Sequence, residues 1–412
     1  MRSQENIVVG LDIGTTKICV LAAEQDSGGS LNVVGFGQAR SEGIAKGVVV
    51  DIEKTVAAIQ QAVRECELMS GTQIKEVYAG IAGHHIQGMN SHGMVMVNNN
   101  RTVTEDDISR VIDAAQAVNI PNDREVLHIL PQGFIVDDQD GVQNPLGMSG
   151  IRLEVDVHIV TCGFTAGQNI VKCCKMAGLD VADIVLEPLA SSQAVLSQDE
   201  RELGVVLVDI GGGTTDIAMY SNGSIVHTSV LALGGNQLTK DIAIGLSTPM
   251  PEAEMLKHQH GVASTNLVKF DEMVQVPSVG GRRPRTLDKR VLAEVIEPRF
   301  KEIFRFVNER VERSGYRNVV ASGVVITGGS SLMPGVDDLA SEIMQFPVRV
   351  GFPENVTGLT EMIHSPMHAT GVGLLRYALG NGEYRHTPLL SGQQGIFNKV
   401  GQRMKDFLND FF

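Results

Sequence analysis

The stretch VVLVDIGGGTTDIAMY, residues 205–220, decides the fold. It opens on an apolar β-branched run, reaches Asp209, breaks at three glycines and two threonines, and resumes as a second apolar run. That order predicts a strand, a tight turn and a returning strand. Glycines in the middle of a sheet weaken it unless something packs against bare backbone. Successive turn amides form a concavity that takes an anion, and glycine lets a ligand come close. The same plan stands earlier, at residues 8–21, as VVGLDIGTTKICVL. Two copies predict two related half-domains whose turns face one nucleotide. Asp12 and Asp209 each end a strand where a carboxylate can hold a phosphate-bound Mg²⁺ through water.

Composition narrows the class. A chain of 412 residues has room for several subdomains and a sizeable core. A net charge of −14, no tryptophan and 4% aromatic residues argue against a nucleic-acid partner, which needs a basic face and stacking surfaces. Five cysteines, Cys19, Cys66, Cys162, Cys173 and Cys174, are odd in number, lack CxxC spacing and lie mostly in apolar stretches. They read as buried free thiols of a reducing compartment. The start of the chain has no basic region followed by a long apolar segment, and no apolar run reaches about 18 residues. Neither a secretory signal nor a membrane span is expected.

Residues 1–83 with 163–203 read as a first-lobe core, including a helix from near Asp51 that carries Val56, Ile59, Val63 and Cys66 at helical spacing. Residues 84–162 change character and read as an inserted α+β subdomain. Its helix follows Thr104, an N-cap completed by Asp107 three positions on. Residues 204–226 with 301–380 repeat the plan as a second-lobe core, and 227–300 form its insert, which carries the loop VPSVGGRRPR. Pro298 is expected to kink or split a long helix from about Leu287 to Arg313. Residues 381–395 are a polar linker, and 396–412 form a separate element.

These segments resemble the actin, Hsp70 and sugar-kinase superfamily, an α/β, ribonuclease-H-like, two-lobed ATPase fold. LDIGTTK matches its first phosphate motif, LVDIGGGTTD its second and VITGGSSLMPG its adenosine motif. LEPLASSQAVL and PMHATGVGLLRYA look like its two connecting helices. The resemblance implies ATP and Mg²⁺, with Asp12 and Asp209 on the metal. Gly14, Thr15, Thr16 and Lys17 would contact phosphates from one side, and Gly211, Gly212, Gly213, Thr214 and Thr215 from the other. Gly328, Gly329 and Ser330 would bed adenine and ribose, with Gly234 and Gly235 helping to line the pocket. Attack on a γ-phosphate needs a residue that orients water. Glu187, just before Pro188, matches where the superfamily places one, and it is equally suited to cap the helix that follows. ATP binding is expected, and turnover is left open.

The last residues, IFNKVGQRMKDFLNDFF (396–412), carry a second signal. At about 100° per residue, Ile396, Phe397, Val400, Met404, Phe407, Leu408, Phe411 and Phe412 fall within an arc of roughly 160°. Every charged residue falls outside it, and Arg403 and Lys405 at the borders can snorkel. This pattern predicts a helix lying in a membrane interface rather than one docking on its own protein. Three cations oppose two acids and the terminal carboxylate, so attraction of ~1 kcal/mol per net cation nearly cancels. The apolar face acts almost alone. A single short anchor binds reversibly, whereas several on one polymer hold firmly.

With that tail, the whole chain resembles FtsA, the bacterial division-actin family that tethers the tubulin-like FtsZ ring to the inner membrane. DERELGVVLVDIGGGTTDIAMY, VPSVGGRRPR and LAEVIEPR read like gammaproteobacterial members. The resemblance implies filaments, self-contact and contact with later division proteins through the 84–162 insert, and residence on the cytoplasmic face at the septum. It also implies binding of the FtsZ tail, acidic and apolar, to the second insert. There Arg282, Arg283, Arg285, Lys289, Arg290 and Arg299 cluster against the acidic trend of the chain. The rival on the same fold is a PilM-like adaptor of type IV pilus assembly, expected to lack the terminal helix. An Hsp70 relative would carry a C-terminal substrate domain, and a sugar kinase has no use for the tail.

Overall fold

A computed structural model describes residues 7–25, 31–98 and 101–379. The strand pair Ile7–Ile13 and Lys17–Gln25 is antiparallel, with Asp12 opposite Cys19. The pair Val205–Ile210 and Thr215–Ser221 is built the same way, with Asp209 opposite Asp216. A third antiparallel strand extends each hairpin, Leu31–Arg40 in one half and Ser224–Leu231 in the other. On the opposite side of each first strand two further strands follow in turn, both parallel to it. These are Glu76–Ile81 and Asp180–Leu186 in the first sheet, and Val324–Thr327 and Val348–Val350 in the second. The duplication read from the two motifs is thus a duplication of whole sheets. A sixth strand, Val356–Gly358, leaves the second half and pairs parallel with Leu31–Arg40 of the first.

The central strands are apolar because helices cover both faces; all six residues of Val205–Ile210 are buried. One core joins the first sheet to one face of the second through Val205, Leu207, Ala218 and Tyr220, and the other face of the second sheet has a core of its own. The helix Ile52–Ser70 starts where the Asp51 carboxylate accepts the Lys54 amide at 3.1 Å, and it ends at Gly71. It buries Val56, Ile59, Val63 and Cys66 on the first sheet. All five cysteines are buried free thiols.

Two helices join the lobes, Glu187–Val195 and Ala369–Leu379. They cross so closely that a Cβ at Gly373 would lie 1.8 Å from the Ala190 carbonyl oxygen. The C-terminal end of the first is held by three arginines. Arg201 donates to the Ser192 carbonyl at 3.0 Å, Arg349 to Val195 at 2.8 Å, and Arg376 to Gln193. Cations there offset the negative end of the helix dipole. The strand Asp180–Leu186 runs straight into this helix, so Glu187 begins it.

The first insert is a four-stranded antiparallel sheet in the order Gln87–Met96, Arg152–Gly163, Arg124–Val136, Gln139–Val142. It is covered by the helix Glu105–Gln116, whose capping box pairs Thr104 with Asp107. Its residues Asn90, Gln132 and His158 reach the second-lobe strand Ser224–Leu231, at Val226 (3.1 Å), Ile225 (2.9 Å) and Thr228 (2.9 Å). The second insert holds the helix Met250–His260 and a small hairpin, Met273–Val276 with Arg285–Asp288.

Pro298 does not split the long helix. Lys289–Ser314 is one element with Pro298 inside it. Its buried stripe Leu292, Ala293, Ile296, Phe300, Ile303, Phe304, Val307 and Val311 runs on both sides of the proline. Packing of that stripe outweighs one lost backbone hydrogen bond. The line drawn at 226/227 falls within the strand Ser224–Leu231, and the one at 300/301 within this helix. The linker and tail, 381–412, lie outside the described residues, which end with the closing helix at Leu379.

Candidate functional site

The two turns meet. A Cβ at Gly212 would lie 2.3 Å from Thr16 Cγ2, and one at Gly213 would lie 2.5 Å from Thr15 Oγ1. Glycine is required there because the threonines of one turn occupy the space beside the other. Behind them opens a cavity of about 770 Å³. It is lined by Asp12, Gly14, Thr15, Thr16, Lys17, Glu187, Asp209, Gly211, Gly212, Gly213, Thr214, Gly235, Gly328, Gly329 and Ser330. The structure thus brings together segments that the sequence scatters across both halves of the chain.

Two of the expected residues support the cleft from behind. The Thr215 hydroxyl donates to the Leu233 carbonyl at 2.9 Å. Gly234 packs on the second turn, where a Cβ would lie 2.6 Å from the Gly211 carbonyl oxygen. Gly328 has φ +84, and a Cβ there would lie 2.3 Å from Asp209 Oδ1. That position therefore excludes any side chain on both conformational and steric grounds. The Ser330 hydroxyl donates to the Gly211 carbonyl at 3.3 Å, joining the last turn to the second hairpin.

Carboxyl groups crowd the floor of the cleft. Burial raises Asp12, with Lys17 opposing. Burial and the nearby Asp12 push Asp209 up to about 6, against a hydrogen bond from Thr370 and the charge of Lys17. Glu187 lies well above the ordinary carboxyl range through burial and the charges of Asp12, Asp216 and Asp209. Burial and Asp209 push Asp216 to about 8, and its Oδ1 is buried with no protein partner. Four mutually repelling carboxyl groups are a site that a cation would stabilise. Among the described residues, no three His, Cys, Asp or Glu side chains converge closely enough to ligate one ion directly. The arrangement therefore fits a hydrated cation held through its waters, as Mg²⁺ commonly is.

Several residues in or behind the cleft were not singled out in the sequence. Asp216 ends the DIGGGTTD motif, and its register opposite Asp209 was the available signal. Glu254 and Lys257 line the cavity from the helix Met250–His260. Lys257 Nζ donates to Glu254 at 2.8 Å, to Thr239 at 2.9 Å and to the Gly235 carbonyl at 3.2 Å. Burial works to raise Glu254, but the hydrogen bonds and charge of Lys257 with the Thr239 hydroxyl outweigh it, leaving Glu254 lowered. Their i, i+3 spacing was legible, but its direction toward the cleft was not. Met367 and Thr370 enter from the closing segment.

The six basic residues of the second insert separate into two groups. Arg282, Arg283, Arg285 and Arg290 are exposed on or beside the hairpin. Arg285 also donates to the Leu246 carbonyl. Lys289 is paired with Glu272 at 2.9 Å, and Arg299 is held by Asp241 at 2.6 Å and by Glu302. The same insert exposes two apolar side chains, Phe270 at 94% and Met273, opposite Asp288 in the hairpin, at 57%.

Two equivalent sheets joined by crossing helices, with paired turns at the mouth of the cleft between them, define a two-lobed protein of the actin-like class. A family described as "Cell division protein FtsA" matches residues 206–373, and one described as "SHS2 domain inserted in FTSA" matches 83–161. Cell division protein FtsA of Pseudomonas aeruginosa is 52% identical over 90% of this chain and 89% of its own length. The Neisseria meningitidis protein of that name is 46% identical over 92% of this chain and 91% of its own. That of Escherichia coli K12 is 42% identical over 91% of each. The chain belongs to the FtsA family of cell division proteins.

Solved structures share the fold at low identity. The PilM-PilN type IV pilus biogenesis complex superposes at TM-score 0.63 with 16% identity, over 90% of this chain and 98% of that one. MreB5 of Spiroplasma citri bound to AMPPNP gives 0.53 and 15%, over 90% and 95%. The PilM likeness is one of fold, while the FtsA relatives share sequence over almost the full chain.

Proposed function

We propose that the cleft binds ATP with Mg²⁺, and that the chain forms nucleotide-dependent polymers tying an FtsZ ring to the cytoplasmic face of the inner membrane. One observation carries the nucleotide reading. Two glycine–threonine turns from equivalent hairpins oppose each other beside Lys17, three buried aspartates and the half-buried Glu187. Phosphates would lie between the turns, against the amides of 14–17 and 211–214, with adenosine on Gly328, Gly329 and Ser330. Asp12 and Asp209 would hold the hydrated metal, which supplies the positive charge that lets the carboxyl groups ionise beside phosphate. Glu187 is the side chain assigned to orient an attacking water. The MreB5 structures bound to ADP and AMPPNP support nucleotide binding on this fold.

Attachment falls to residues 396–412, since no helix among the described residues is long and apolar enough to cross a membrane. The exposed arginines and the exposed Phe270 of the second insert suit a tail that is both acidic and apolar, which is the chemistry expected of the FtsZ terminus. Self-contact and recruitment of later division proteins are assigned to the 84–162 insert. Sedimentation of the full chain with phosphatidylethanolamine–phosphatidylglycerol vesicles, with and without ATP and FtsZ, tests this. The proposal expects the chain to pellet with vesicles, more so with ATP, and to carry FtsZ down. FtsZ left in the supernatant beside pelleted chain would overturn the tether.

A further inference from the structure

We infer that His368 is a positioning residue for Lys17: with the Met367 carbonyl, its ring fixes the ammonium at the cleft and leaves one N–H for a phosphate oxygen. The inference rests on the nucleotide reading above. An ammonium carries three donors and no acceptor. Lys17 Nζ gives one to the Met367 carbonyl and lies 3.1 Å from His368 Nδ1. A cationic donor meets that nitrogen only when it is bare, so the contact places the ring proton on Nε2. His368 is 4% exposed, and its ring stands edge-on to Phe36, centroids 5.3 Å apart and planes at 88°. It has little room to turn.

The choice of partners is informative. Cys19 Sγ lies 3.9 Å from the same nitrogen, and Cys19 occupies the register position where the second hairpin carries Asp216. A carboxylate there would hold Lys17 as an ion pair and cancel its charge. A neutral ring and a carbonyl hold the ammonium while leaving its charge for an anion. Burial and the charge of Lys17 push His368 down to about 3, so the ring stays neutral at physiological pH. The same segment reaches the other two loops. The Pro366 carbonyl accepts the Gly328 amide at 3.2 Å, and the Thr370 hydroxyl donates to Asp209 at 3.4 Å. The placement of Lys17 is therefore tied to the turns that would carry metal and adenosine.

Two measurements on the full chain test this. In calorimetry with ATP and with adenosine, His368→Leu should weaken ATP about tenfold, the effect of one hydrogen bond to a charged group. Adenosine affinity should be unchanged, and His368→Asn, whose amide oxygen can accept at the Nδ1 position, should restore ATP affinity. Equal loss of ATP and adenosine, or no loss of either, would overturn the inference. Imidazole NMR supplies a readout independent of nucleotide. His368 should stay neutral down to about pH 4 in the native chain and titrate at least one unit higher in Lys17→Met. An unmoved titration would refute the contact. Failure of the native chain to bind ATP would instead sink the nucleotide reading, leaving the titration to judge His368.

Discussion

Asp216 lies opposite Asp209 in the second hairpin, buried, with one carboxylate oxygen unpaired. Its folded-state pKa is raised from 3.8 to about 8, by burial and then by Asp209, and that of Asp209 to about 6. Both groups therefore take up protons on folding. Their stabilisation is complete below about pH 4 and is lost as pH rises through about 6 and then about 8. Urea unfolding of the metal-free chain should therefore show stability falling between about pH 4 and about pH 8. Asp216→Asn should flatten the upper part, and a variant slope identical to the native one would contradict the assignment. At this scale the sequence was legible where a residue ends a motif, as at Asp12, Asp209 and Lys17. It was silent on Met367, Thr370 and Glu254, whose places depend on a helix and a turn arriving from distant segments.

Among the elements, the crossing of Glu187–Val195 with Ala369–Leu379 holds the cleft from behind. A methyl at Gly373 would enter the space of the Ala190 carbonyl oxygen. Gly373→Ala should therefore cost about 2–4 kcal/mol in thermal or urea unfolding, since neither backbone can yield without moving a lobe. A loss below about 0.5 kcal/mol would show that the helices part freely. The elements themselves were well marked in the sequence, through alternation, 3.6-residue stripes and caps such as Asp51 and Thr104. Pro298 was the exception, because a proline rule is local and the stripe from Leu292 to Val311 is not. The sixth strand Val356–Gly358 was also hidden, since three residues carry no period. For the terminal element, Phe407→Glu places a carboxylate within the apolar arc and should abolish vesicle sedimentation while sparing ATP binding. Undiminished sedimentation would remove the anchor assignment.

For the molecule as a whole, the acidic chain concentrates exposed basic charge on one hairpin. Four exposed arginines and two cations neutralised by Glu272, Asp241 and Glu302 give the second insert two kinds of basic residue. Arg283→Glu with Arg290→Glu should weaken an FtsZ tail peptide at least tenfold in fluorescence anisotropy, with a smaller loss at high salt. Arg299→Ala should leave peptide affinity nearly intact and lower stability instead. The reverse pattern would place the tail elsewhere. Sequence showed the charge cluster, but only the fold separated paired from free charge.

The duplicated sheets bring two turns together, and the proposal that they grip one nucleotide from both halves of the chain carries the rest. Calorimetric titration of MgATP into the native chain and into Asp209→Ala tests it most directly, with circular dichroism to verify folding. The account predicts a single site in the native chain, proton release on binding, and loss of at least a hundredfold in affinity in the folded variant. An unchanged isotherm in folded Asp209→Ala would contradict it.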